Sequence, residues 1–133
     1  MKIRFTIMVI IGFIIILTII LFSYNGNDKV SNFYYRLDND TAKCFELNKS
    51  TNEIILSNWS NNLGPLQWNG TYKIKGNKLI ESNETFGTTE WTINEDSITA
   101  NIITSSGEYK NVTYKSGTKE DFNKLVEKLK KGS

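Results

Sequence analysis

Four aromatic residues, Trp59, Trp68, Tyr72 and Trp91, are the side chains in this sequence best suited to holding a ligand. Ligand pockets are lined mostly by apolar and aromatic groups with a few polar ones. Trp59 and Leu63, followed by Gly64 and Pro65, fall in an aperiodic polar stretch and would form a lid over such a pocket. The same aromatics could instead fill a small barrel, whose interior side chains can just fill. The carboxylates suggest less. Asp38 and Asp40 resemble the start of a calcium loop, but the sixth position is Lys43 and the twelfth is Lys49. A calcium loop requires glycine and a bidentate glutamate there, so a turn is expected. Glu81, Glu84, Glu90, Glu95 and Glu108 are assigned to outer faces or turns, with no pair placed for glycoside chemistry. Cys44 is the single cysteine, on a strand face opposite Phe45 and Leu47, and there is no histidine to activate it. No catalytic, cofactor or metal signature emerges, and a non-enzyme is expected.

Charge narrows the class further. The 133 residues carry 16 basic and 14 acidic side chains, and two of the basic ones, Lys2 and Arg4, precede or interrupt an apolar run. The remainder is formally neutral and lacks the basic field that nucleic-acid binding requires. The run itself, residues 3–22, is interrupted only by Arg4, Thr6, Gly12 and Thr18. About 20 apolar residues suffice to cross a bilayer as a helix. Its length and the bulky Phe22 beside Ser23 favour an uncleaved signal-anchor over residues 1–23, with a cleaved signal as the alternative. The basic amino end places that end in the cytoplasm. Residues 24–29 then read as a linker, and 30–133 as a domain outside the cytoplasm, held at the cell membrane or released from it.

In that domain, short alternating segments recur between Asn, Asp, Ser and Gly clusters, the pattern of half-buried antiparallel strands. Phe33, Tyr35 and Leu37 share one face of the first. Phe45 and Leu47 share a face of the second, and 53–57 is a short third strand. Residues 57–67 have no period and read as the longest loop. Trp68, Gly70, Tyr72 and Ile74 align beyond it, then Gly76-Asn77 turns the chain. Thr89, Trp91 and Ile93, then Ile98, Ala100 and Ile102, mark two further inward faces. About eight strands with hairpin links predict an up-and-down meander that closes into a barrel or curls strongly. A helix is expected over 118–131, with Phe122, Leu125, Val126 and Leu129 on one stripe and Thr118 as its N-cap.

The run Trp68-Asn-Gly-Thr-Tyr-Lys-Ile-Lys-Gly-Asn-Lys-Leu79 and the segment Phe86-Gly-Thr-Thr-Glu-Trp91-Thr-Ile are similar to strand pairs of lipocalin-like (calycin) domains in exported bacterial proteins. Residues 31–37 lack the Gly-x-Trp of true lipocalins. The resemblance implies a barrel that binds a small apolar ligand, with Trp59, Leu63, Trp68, Tyr72 and Trp91 as its contacts. The alternative is a filled barrel that serves as a protein-interaction module of the cell envelope.

Overall fold

The computed structural model describes residues 8–11, 13–16 and 30–132. Most of the apolar run 3–22 and all of the linker 24–29 lie outside the described residues. Residues 8–11 and 13–16 are helical with exposed apolar side chains, and no helix among the described residues is long and apolar enough to cross a membrane.

Eight antiparallel strands follow in sequence order: β1 (Phe33–Asp38), β2 (Thr41–Asn48), β3 (Glu53–Ser60), β4 (Gly64–Lys75), β5 (Lys78–Asn83), β6 (Gly87–Ile93), β7 (Ser97–Ile103) and β8 (Tyr109–Ser116). Each pairs with its neighbour in the chain, and β8 returns to β1 to close a barrel. The C-terminal helix α1 (Lys119–Lys131) lies against β1, β2 and β3. Thr118 caps it as its composition predicts. The Thr118 hydroxyl accepts from the Asp121 amide at 3.2 Å, and the Asp121 carboxylate accepts from the Thr118 amide at 2.9 Å.

The meander gives the barrel two unlike ends. The links of 49–52, 76–77 and 94–96 gather at one end with the entry at Val30 and the start of α1. Gly76 (φ +59°) makes the two-residue turn expected for Gly-Asn. Val30, Tyr34, Ile54, Leu79 and Ile98 are fully buried and plug this end. The links of 39–40, 61–63, 84–86 and 104–108 gather at the other end. There two ladders stop early. β8 meets β1 only at Tyr34↔Ser116 and Tyr35↔Lys115, and β6 meets β7 only at Thr92↔Thr99 and Ile93↔Ile98. All four pairs lie toward the plugged end, so both seams part toward the other.

Two expectations are corrected by this register. On β1, Phe33, Tyr35 and Leu37 share a face, but it is the outer one beneath α1, where the Phe33 and Phe122 rings meet at 6.3 Å. Tyr34, Arg36 and Asp38 point inward instead, because Tyr34↔Phe45 and Arg36↔Lys43 share the Phe45 face of β2. The aperiodic stretch 57–67 is no long loop. β3 and β4 run on through it, paired as Asn58↔Leu66, Trp59↔Pro65 and Ser60↔Gly64, with only 61–63 as the turn. Its lack of period reflects a hairpin whose two faces are both partly wet. Pro65 is tolerated because β4 pairs with β5 only from Thr71 onward, leaving this stretch of β4 as an edge.

Candidate functional site

The parted end encloses a cavity of about 710 Å³. Its floor is aromatic. Phe45 stacks on Tyr114 at 4.2 Å, and Trp91 meets both rings edge-on at 5.1 and 5.3 Å. Leu56, Trp68 and Val112 form walls, and Phe86 closes on Trp68 at 5.1 Å. Thr88 to Trp91 on one side and Asn101 to Ile103 on the other border the gap between β6 and β7, which gives the cavity a lateral opening.

Above the floor, strand alternation sets charges inward. Asp38, at the end of β1, receives Arg36 Nη2 at 3.0 Å, Lys43 Nζ at 3.1 Å and Lys110 Nζ at 3.6 Å. Lys110 reaches it across the seam where the β1–β8 ladder has ended. Opposite, the Arg36 guanidinium lies 5.5 Å over the Tyr114 ring. Side chains therefore tie this seam where backbone bonds do not. Partial burial acts to raise the Asp38 pKa, but the Lys43 hydrogen bond and the charges of Arg36, Lys43 and Lys110 outweigh it and hold the carboxyl below its usual value. Three cations thus gather on Asp38 at the mouth, while Glu81 and Glu90 line the cavity farther round, Glu90 within 3.5 Å of Lys78.

Deeper in the wall sits Glu81, on β5 between Tyr72 of β4 and Thr89 of β6. It is only 3% exposed. Burial pushes its carboxyl up to about 7, against the opposing pull of the nearby Trp91 indole and Thr89 hydroxyl. The Trp91 N–H is close enough to favour the ionised form. Glu81 Oε2 and Trp91 Nε1 both lack a hydrogen-bond partner. Gly70 faces this wall from β4, where an added Cβ would come within 2.5 Å of the Ser82 carbonyl oxygen. Only glycine lets the two strands approach so closely.

The structure separates the aromatic residues singled out by the sequence. Trp68 and Trp91 line the cavity. Tyr72 is buried in the same core cluster as Ile54 and Leu79 and does not line it. Trp59 is on the outer face of β3, half-buried, with Lys130 Nζ 5.7 Å over its ring. Leu63 is exposed at the tip of the β3–β4 turn. No lid is formed by the two.

The charged residues of the site were assigned elsewhere by alternation alone. Glu81, expected on an outer face or turn, is inward and buried. Asp38, expected in a turn, is the last inward residue of β1. Its partner in that motif, Asp40, does occupy the turn. The signal for Glu81 was its period-2 spacing from Leu79, weakened by an equally apolar Ile80 between them. Cys44 does oppose Phe45, but α1 covers that face and the thiol is buried. Burial pushes it up to about 11 although a Ser57 hydrogen bond lowers it, so little thiolate exists at neutral pH. Among the described residues, no three acidic or cysteine side chains gather to hold a metal ion. Comparison with known proteins brings no relative: no family model, curated protein or solved structure matches the chain.

Proposed function

We propose that this protein is a non-enzymatic, lipocalin-like binder of a small amphipathic ligand that carries an acidic group. The observation that carries this reading is the cavity of about 710 Å³, with Arg36, Lys43 and Lys110 clustered on Asp38 above an aromatic floor and away from the Glu81 wall. An apolar body would cover Phe45, Trp68, Trp91 and Tyr114, and an anionic head would compete with Asp38 for the cations. The purely apolar ligand suggested by the sequence would leave this cation cluster with Asp38 alone in a site closed to water.

The apolar run 3–22 behind Lys2 supports a membrane anchor with the barrel outside the cytoplasm. Val30 enters the barrel at its plugged end, opposite the cavity mouth. Protease added to intact cells should then degrade the barrel, and full protection would contradict this orientation.

A second reading, an envelope interaction module, draws on the exposed Leu63, Leu66, Phe86, Ile103 and Tyr109 around the mouth. Native mass spectrometry of the full chain, released gently from its own cells, separates the two. Retention of a small acid supports the binder. Co-purification of a stoichiometric protein with an empty cavity supports the module.

A further inference from the structure

We propose that the ligand's acid-distal end carries a hydroxyl group, held between Glu81 Oε2 and Trp91 Nε1 on the cavity wall. The inference rests on the binder reading and extends it to the class of hydroxylated amphipathic acids. Two features support it. The first is that Glu81 is 3% exposed and yet lines the cavity, with an oxygen that accepts no hydrogen bond. The second is that the donor next to it, Trp91 Nε1, is likewise buried and has no acceptor. Glu81 and Trp91 are diagonal neighbours on the inner face, since Glu81 pairs with Thr89 and Leu79 with Trp91. A buried polar atom without a partner is costly, and native structures seldom keep two side by side without use.

The pair defines its complement. An indole N–H can only donate, and the Glu81 carboxyl, raised to about 7, accepts when ionised and can donate when protonated. A hydroxyl both donates and accepts, so one such group satisfies both atoms. An ammonium would satisfy Glu81 but leave Trp91 Nε1 unpaired, and it would have to pass Arg36, Lys43 and Lys110. A wholly apolar tail would leave both atoms unpaired in a dry site. Discrimination is strongest in pockets of this kind, because the analogue that lacks the polar group strands the buried partners.

The test compares two rigid, water-soluble acids that differ by one group: 6-hydroxynaphthalene-2-sulfonate and naphthalene-2-sulfonate. Each is titrated calorimetrically into the full chain held in zwitterionic nanodiscs, with empty nanodiscs as the blank. The hydroxylated acid should bind about tenfold more tightly, the effect of one well-placed hydrogen bond to a charged group. Glu81→Leu should erase that preference, so that the two acids bind with equal affinity. Glu81→Gln, which keeps shape and an acceptor oxygen, should retain part of it. Equal affinities for the two acids in the unmodified protein would overturn the hydroxyl assignment and leave the binder reading standing. If neither acid binds, both readings fall.

Discussion

At the plugged end, Tyr34, Ile54, Leu79 and Ile98 are at most 1% exposed and every strand is laddered to both neighbours. At the open end the same strands carry Arg36, Asp38, Lys43, Glu81 and Lys110 inward, and two seams have lost their ladders. The chain thus concentrates its stabilising burial in one half and places its unsatisfied and charged groups in the other. Such a division frees the open half from structural duty. Backbone pairing is replaced there by side-chain contacts, which a ligand can exchange for its own.

If that division holds, the largest stability loss should come from the plug. Leu79→Ala should cost roughly 3–5 kcal/mol in urea unfolding, since the site is wholly buried and cannot collapse. Affinity for naphthalene-2-sulfonate should stay unchanged in the remaining folded protein. A loss below about 1 kcal/mol would mean that the plug is not where the stability resides.

Next comes pH. The unfolded Glu81 carboxyl titrates near 4.5 and the folded one near 7. Between these values the folded state holds the extra proton, so stability is greatest at the acid side. It falls as pH rises through the interval and levels off above it, by roughly 3 kcal/mol in total. Glu81→Gln should remove this component and make the protein more stable than its parent at pH 8. Thermal unfolding of the two proteins from pH 5 to pH 8 checks the difference. Parallel curves would show that Glu81 is solvated.

A smaller effect is expected at Asp38. Asp38→Asn leaves Arg36, Lys43 and Lys110 without their shared anion, at a cost of about 1–2 kcal/mol in stability. The same change should strengthen binding of naphthalene-2-sulfonate severalfold, with a steeper loss in salt. Weaker binding would mean that Asp38 assists the ligand rather than competes with it.

Trp59 supplies the smallest effect. It is half-buried on the outer face beside Lys130, so Trp59→Ala should cost about 1–2 kcal/mol, less than the 3–5 of a buried aromatic. Binding should be unaffected. A fall in affinity would return the β3–β4 hairpin to the site.

What could be read from the sequence follows the same division. The strand number, closure, the cap at Thr118 and the inward faces of β2, β4, β6 and β7 were legible, because apolar alternation records a buried face directly. The inward placement of Trp68 and Trp91 was legible for that reason as well. The polar members of the site were not. Alternation assigns a charged residue to the wet side by default, and Arg36, Lys43 and Glu81 break that rule by facing a cavity. On β1 the competition ran between two apolar faces. Phe33 and Leu37 outvoted Tyr34 in the pattern, because α1, distant in sequence, gives the outer face a second apolar surface to cover. The hairpin of Trp59 was misread as a lid because both of its faces are half-wet.

The central claim, that ligand enters the open half and nowhere else, is tested most directly by fluorine NMR. The chain has three tryptophans, and they occupy three distinct places: Trp91 on the cavity floor, Trp68 on its wall and Trp59 on the outer face. The protein labelled with 5-fluorotryptophan is titrated with naphthalene-2-sulfonate. The resonances of Trp68 and Trp91 should shift together and saturate, while that of Trp59 stays in place. A shift confined to Trp59, with Trp68 and Trp91 silent, would contradict the account.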